Sequence, residues 1–547
     1  PCNYKFSTMK KQLMQWAGVG MWMVFGLSAC SPTKTEIGNL NVIPQPQEVS
    51  QDIQAHPFVI NPQTGIVYPE GNEKLQRTAE FLASYIKEAT GITVRTTTEA
   101  ARKNSIILAV DGSITNKEGY QLEVTSENIH LNGGSESGVF YGIQTLYKAL
   151  PLTKNKQVSA AIPVGTVNDY PRFGYRGFMV DVGRHYFPVS YLKQIIDMLA
   201  LHNINYFHWH LTEDQGWRIE IKKYPRLTDF AAWRTHASWK EWWNSGRKYT
   251  DSKQPGAYGG YYTHDQIRDV ISYGAQRNIT IIPEIEMPGH SEEVLAVYPE
   301  LSCSGKPYVD SDFCIGNDST FTFLENVLTE VMALFPSKYI HIGGDEASKK
   351  GWKTCAKCQA RMTNENLKNV DELQSYMIHR IEKFLNANGR KLLGWDEILQ
   401  GGLAPDATVM SWRGEQGGIA AAKAGHQAIM TPGEFCYFDA FQDDPSTQPE
   451  AIGGFLPLQK VYSYNPVPDS LTVDQKKLIL GVQANLWTEY VPTPEHAEYM
   501  IYPRLLALAE VAWTAPELKS YPDFHARALK AVNFLESRGY HPFQLKN

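Results

Sequence analysis

The chain has 547 residues, of which 43% are apolar, 20% charged and 12% aromatic, and its net charge is −6. That length and apolar content support a large buried core and exclude a disordered tail, a collagen-like repeat or a small disulfide scaffold. A mildly acidic chain without a basic run is a poor match to nucleic acid.

Met9-Lys10-Lys11 precedes a mostly apolar run over 13–29, broken only by Gln15 and Ser28. A short basic start followed by such a run reads as an export signal. The run ends Leu27-Ser28-Ala29-Cys30, which resembles the bacterial lipobox. That resemblance implies cleavage before Cys30, lipidation of its thiol and membrane contact through the lipid. The expected parts are a signal segment over 1–29 and a lipidated tether over 30–39, polar and proline-containing. The expected location is the bacterial cell envelope, anchored in the outer membrane and facing the periplasm, because no acidic run follows Cys30.

Residues 40–168 read as a smaller α+β accessory domain. The stretches 65–68, 91–94 and 105–110 are strand-like, and 120–124 with 128–131 suggests a hairpin. Helical apolar spacing covers 75–89, and a second helix is predicted over 138–150.

From 169 to 547 short apolar runs alternate with longer helical patterns. Strands are predicted over 177–181, 204–210, 280–285, 339–342, 391–395, 408–412, 427–431 and 479–486. Helices are predicted over 190–202, 264–277, 320–335, 373–387 and 495–513, the fourth capped by Asp371 and Gly389. Eight such alternations point to a (β/α)8 TIM barrel, with a doubly wound open sheet as the rival. In a barrel, functional residues gather where strands end. Here the strand ends carry Asp181 to His185, His208 to Asp214, Glu284 to His290, Gly343-Gly344-Asp345-Glu346, Trp395-Asp396-Glu397, Trp412-Arg413, Tyr437 with Asp439, and Trp487-Thr488-Glu489.

Cys303, Cys314, Cys355 and Cys358 form a set of four, with Cys436 left over. In an exported chain disulfides are the default, in any of three pairings. The alternative is one zinc ion on four thiolates, since Cys355-Ala356-Lys357-Cys358 has ligand spacing.

Carboxylates beside indole faces suit glycoside hydrolysis. The leaving oxygen needs an acid, the cationic carbon needs negative charge, and the C–H face of a sugar packs on Trp. No P-loop, His-Glu-x-x-His motif or Gly-x-Ser-x-Gly elbow is present. His208 and His210 share a strand face, as a metal pair would, but a hydrogen-bond network is the commoner use.

His341-Ile342-Gly343-Gly344-Asp345-Glu346 resembles the signature of glycoside hydrolase family 20, the β-N-acetylhexosaminidases. His208 to Asp214, Pro283 to His290, Tyr175-Arg176-Gly177 with Asp181 and Arg184-His185, Trp395-Asp396-Glu397, Ser411 to Gly414 and Trp487-Thr488-Glu489 resemble it in the same order. The resemblance covers the chain from about residue 40 and implies substrate-assisted catalysis, in which the substrate's own 2-acetamido oxygen attacks C1. It implies Glu346 as acid then base, Asp345 as partner of the acetamido nitrogen, and Tyr437 as holder of the acetamido oxygen. It further implies Trp395, Trp412 and Trp487 as pocket walls and Arg176 on the 3- and 4-hydroxyls. Asp439 and Glu489 would accept from the 4- and 6-hydroxyls, and Asp214 and His290 would support Glu346. Glu213, Asp396 and Glu397 receive no role. The implied partners are β-linked N-acetylhexosamine glycans or chitooligosaccharides, trimmed one terminal GlcNAc or GalNAc at a time, and no cofactor or catalytic metal is implied. The alternatives are a relative releasing a disaccharide or sulfated sugar, and a glycan-binding lipoprotein without catalysis.

Overall fold

The computed structural model describes residues 35–152 and 159–546. The expected export segment, Cys30 and the first residues of the tether lie outside the described residues. From Thr35 the tether is docked rather than free. Thr35–Ile37 pairs in parallel with Ser159–Ile162, and Leu40, Val42 and Ile43 are buried. These three apolar residues open the expected accessory domain and gain by leaving water.

The smaller unit is built on a seven-stranded sheet. Its spatial order is Glu48–Asp52, Val164–Asp169, Tyr120–Val124, Asn128–Gly133, Ser105–Val110, Gly65–Val67 and Arg95–Thr97. Helices Glu73–Thr90 and Glu136–Ala149 pack against it. Asn72 caps the first by accepting from the Leu75 N–H, and Gly91 ends it at φ 74°. That left-handed stop occupies the start of the 91–94 stretch, so the strand forms three to four residues later, at Arg95–Thr97.

The larger unit closes as a parallel eight-stranded barrel. Its strands are β1 (Tyr175–Asp181), β2 (Tyr206–His210), β3 (Thr280–Glu284), β4 (Tyr339–His341), β5 (Lys391–Trp395), β6 (Thr408–Ser411), β7 (Ala428–Met430) and β8 (Ile479–Leu486). β8 pairs with both β7 and β1, which completes the ring. The open-sheet rival is thereby excluded.

Helices Val189–Leu201, His264–Ala275, Asp318–Leu334 and Val370–Ala387 lie near the expected positions. Asn369, not Asp371, caps the last of these, accepting from the Asp371 and Glu372 N–H groups. Asp371 instead pairs with Lys349. The pattern over 495–513 is two helices, Pro494–Ile501 and Arg504–Trp513, because Pro503 has no N–H to continue the first.

Side chains inside the barrel are layered. Tyr175, Ile282, Tyr339, Leu393, Trp395, Met410 and Ile429 form an apolar cluster separate from the main core. A buried polar network adjoins it. The Gln483 amide links the Tyr175 hydroxyl, His208 and Asn485 at 2.7, 3.0 and 2.8 Å. The strand ends build on that filled interior.

Candidate active site

Asp345 and Glu346 reach one cleft because β4 stops at His341. Gly343 and Gly344 then turn the chain at φ 67° and 97°. A side chain at Gly343 would also displace Glu286, since an added Cβ would lie 1.8 Å from its Oε2. Glu346 itself is left-handed at φ 47°, a sparsely populated conformation for a residue with a side chain.

The two carboxylates then differ in surroundings. Asp345 is buried, and its Oδ1 has no hydrogen-bond partner. Burial pushes its carboxyl above the usual range, while His290 pulls it back. Glu346 has a side chain 60% exposed at the cleft mouth, with Oε2 3.4 Å from His290 Nε2. The hydrogen bond from His290 holds Glu346 below the usual range.

His290 stands between them, its Nε2 also 3.6 Å from Asp345 Oδ2. On its other side, Nδ1 meets Glu213 Oε1 at 2.7 Å and Asp214 Oδ2 at 3.7 Å. Burial opposes charge on this imidazole, but Glu213, with Asp214 and Glu346, more than offsets it and raises the ring well above its ordinary value. Glu213, given no role from sequence, is therefore the nearer partner. Asp214 is one step back, accepting from the Glu292 N–H at 3.0 Å. Two adjacent acids after a strand are equivalent in sequence, and only the short Thr212–Glu213 and Gly216–Trp217 pairing decides which one faces the imidazole.

Under the cleft, Glu284 gathers the histidines of the barrel mouth. It lies 2.5 Å from His210 Nδ1 and 2.9 Å from both His208 Nε2 and His341 Nδ1, and it accepts from Trp395 Nε1 at 2.8 Å. The His208/His210 pair thus shares a carboxylate. Burial works against a charged His210, but Glu284 and Glu213 push it up to about 10. Glu286, next along, has both carboxylate oxygens buried and unpartnered. Burial first, and the Asp345 charge second, raise it well above the usual range.

An aromatic wall faces the carboxylates. Trp412 and Tyr437 are stacked with centroids 6.0 Å apart, and Trp487 lies 6.1 Å from Tyr437 and 5.8 Å from Trp395. Trp395 is buried beneath, 1% exposed. Trp412 Nε1 donates to Glu397 at 2.9 Å. Burial and then the Asp345 charge raise Glu397 to about 7. Asp396 accepts from the Trp412 and Arg413 N–H groups, so the unassigned pair after β5 holds the β6 end in place. Trp412, Tyr437 and Asp439 also line an open recess of about 420 Å³ with Ile452 to Gly454.

Asp439 and Glu489 are the other free acceptors. Asp439 Oδ1 and Glu489 Oε2 are buried without partners. Burial, then the Glu489 charge, pushes Asp439 up to about 8.

Arg176 is not in this cleft. It lies near the start of β1, about five residues and roughly 17 Å of strand from the mouth. It is fully buried between the two units. Its guanidinium donates to both Glu118 oxygens at 2.9 and 3.0 Å, to the Asn203 and Phe173 carbonyls and to the Tyr141 hydroxyl. The cation at the mouth is Arg184, just past the end of β1. It lies 3.3 Å from Asp181 and Glu213, 3.7 Å from Glu489, and 5.1 Å over the Trp487 ring. The usable signal was position: a residue beyond the strand end, not one at its start, belongs to a barrel's catalytic face.

The aromatic insertion after β2 covers this arginine. Buried Arg234 donates to the Arg184 carbonyl at 2.7 Å, and the Tyr249 hydroxyl donates to the Asp214 carbonyl. Trp239 stacks on Trp243 and touches Tyr490.

Comparison with known proteins gives one answer throughout. The family model "Glycosyl hydrolase family 20, catalytic domain" matches residues 173–516, and "Glycosyl hydrolase family 20, domain 2" matches 39–170. The chain is 43% identical over 547 residues to a beta-hexosaminidase of Porphyromonas gingivalis, covering 96% of this chain and 68% of that protein. It is 39% identical over 402 residues to a beta-hexosaminidase of Vibrio furnissii, covering 71% of this chain and 64% of that one. Among solved structures, a GH20 exo β-N-acetylglucosaminidase from Vibrio harveyi in complex with N-acetylglucosamine superposes at TM-score 0.82 and 30% identity, covering 94% of this chain and 80% of that one. A β-N-acetylhexosaminidase from Bacteroides fragilis superposes at TM-score 0.78 and 30% identity, covering 92% and 96%.

Proposed function

The chain belongs to glycosyl hydrolase family 20 and is a glycoside hydrolase of the β-hexosaminidase kind, and we propose that it releases single terminal β-linked GlcNAc or GalNAc residues with retention, through an oxazolinium intermediate. The observation carrying this reading is the set of buried, unpartnered acceptors around the aromatic wall: Asp345 Oδ1, Asp439 Oδ1 and Glu489 Oε2. Such acceptors favour a ligand that brings several N–H and O–H donors, as an acetamido sugar does.

The roles follow from the surroundings. A sugar ring lies against the indoles of Trp412 and Trp487, with buried Trp395 backing the wall from beneath rather than offering an open face. Its acetamido N–H donates to Asp345, whose negative charge then stabilises the positive charge developing on nitrogen as the carbonyl oxygen attacks C1. Tyr437 holds that oxygen in line, which counts as effective molarity. Glu346 protonates the leaving oxygen, then takes a proton from the water that opens the oxazolinium. In the free protein the hydrogen bond from His290 lowers the Glu346 carboxyl, which favours its charged form. A sugar covering the exposed carboxylate acts in the needed direction, because desolvation favours the protonated form. Asp439 and Glu489 accept from the 4- and 6-hydroxyls, and Arg184 takes the hydroxyl-binding part first expected of Arg176.

In the cell, this reading has residues 1–29 removed and Cys30 lipidated, with the enzyme anchored in the bacterial envelope facing the periplasm. Labelling with a tagged fatty acid, lost in Cys30→Ala, checks the anchor.

The first test compares aryl β-N-acetylglucosaminide with the matching aryl β-glucoside. Fast cleavage of the first alone is expected, since the acetamido group is the nucleophile. Equal cleavage of both would require an enzymic nucleophile and overturn the mechanism. Cleavage of longer glycans only, releasing a disaccharide, would overturn the single-sugar pocket.

A further inference from the structure

We propose that Cys303, Cys314, Cys355 and Cys358 bind one structural Zn²⁺ that clamps the loop after β3 to the segment after the catalytic pair. None of the four is in a disulfide, and all four Sγ atoms lie within 4.8 Å of one another. Cys303–Cys358, Cys314–Cys355 and Cys314–Cys358 are each 3.7 Å apart. Four sulfurs about 2.3 Å from a central zinc sit about 3.75 Å from each other at the corners of a tetrahedron. Disulfide sulfurs are about 2.05 Å apart. Cys314 is equally near Cys355 and Cys358, and Cys358 equally near Cys303 and Cys314, so the sulfurs form one cluster rather than two isolated pairs.

The surroundings suit thiolates. Cys355 stands at the N-terminus of the helix Ala356–Asn364, its sulfur making no capping bond, and Cys358 lies in the first turn, where the helix dipole favours negative sulfur. The Gly316 N–H donates to Cys358 Sγ at 3.4 Å, the kind of outer contact that steadies a metal-bound ligand. Gly316 permits this approach, since an added Cβ would lie 2.1 Å from the Lys357 carbonyl carbon. Cys314 and Cys358 are buried, and buried Trp352 donates its Nε1–H to the carbonyl of Phe313, the neighbour of Cys314, at 2.9 Å. Four sulfurs without an oxygen ligand favour zinc over calcium or magnesium. In an oxidising compartment the ion also keeps the thiols from pairing with one another.

The clamp has a location that matters. Phe313, next to Cys314, donates its N–H to the Pro288 carbonyl at 2.9 Å, two residues from His290. Asp312 accepts from the Ser348 N–H and hydroxyl and the Lys349 N–H at 3.1, 2.6 and 2.8 Å, two to three residues beyond Glu346. The ion therefore ties together the two segments that carry His290 and Glu346.

The full chain as purified is tested by elemental analysis, with the four cysteines mapped by alkylation and peptide mass. We expect one zinc per chain, four thiols that alkylate only after chelation, and a fall in Tm on chelation that ZnCl2 reverses. Cobalt added to the chelated protein is expected to give the visible bands of a tetrahedral thiolate site. Cys303→Ser tests the ligand set with milder disturbance than removing all four, and should bind zinc more weakly. Recovery of the four cysteines as two disulfides, four hydrogens lighter and zinc-free, would overturn the proposal. So would zinc retained unchanged in Cys303→Ser, or iron found in its place. Metal content is read independently of sugar cleavage, so this result and the test of the reaction fail separately.

Discussion

Arg176→Met separates a sugar-binding arginine from a structural one. The guanidinium is fully buried and makes a two-pronged contact with Glu118 at 2.9 and 3.0 Å. Removing one partner of a buried pair costs about 3–5 kcal/mol, because the other charge is left without compensation. The Glu118 side chain is 25% exposed, so water recovers part of the loss and the lower figure, about 3 kcal/mol, is expected. At about 2 °C per kcal/mol for a unit of this size, Tm should fall by about 6 °C. KM for an aryl β-N-acetylglucosaminide should stay within about two-fold, because nothing at the cleft has moved. The assay is a melting curve alongside initial rates over a range of substrate concentrations. Arg176→Met/Glu118→Leu should regain much of the lost Tm, since an apolar pair of similar volume replaces a buried ion pair at little cost. A tenfold rise in KM with an unchanged Tm would refute the argument and return Arg176 to the sugar.

Glu346→Gln should lower kcat/KM by at least about 100-fold on a chitooligosaccharide, where the leaving sugar needs a proton. An aryl substrate with an acidic leaving group should be partly spared, and equal losses on both would remove Glu346 from the acid role. Asp345→Asn should reduce kcat by more than about tenfold with little change in KM, because its charge is needed only as the oxazolinium forms; an unchanged kcat counts against it. His290→Gln concerns pH. Glu346 must be protonated to act as acid, so activity is lost as pH rises through its pKa. The His290 cation holds that pKa down, and its removal should shift the alkaline limb of kcat/KM to higher pH. A limb that stays still or moves lower would show that His290 does not control Glu346.

The sequence by itself determined the barrel, because eight apolar runs between helical patterns have few ways to bury both faces of each strand. It also determined where chemistry gathers, since Asp345-Glu346, Trp412, Tyr437 and Trp487 follow strand ends and the catalytic face of a barrel is that end. Gly343-Gly344 announced the turn that puts both acids in one cleft, because glycine takes up positive φ without strain and leaves room for Glu286. Tertiary structure alone decided the partners. Arg176 and Arg184 are eight positions apart, and the sequence reading gave the sugar-binding role to Arg176. Which one stands at the cleft depends on which end of β1 each occupies and on Glu118, contributed by the other unit. Glu213 and Asp214 are neighbours, and the imidazole of His290 chose between them through a fold in the loop. The same holds for the four cysteines. Their spacing allowed disulfides or a metal, and only the meeting of two loops from different strands brought the four sulfurs within 4.8 Å of one another.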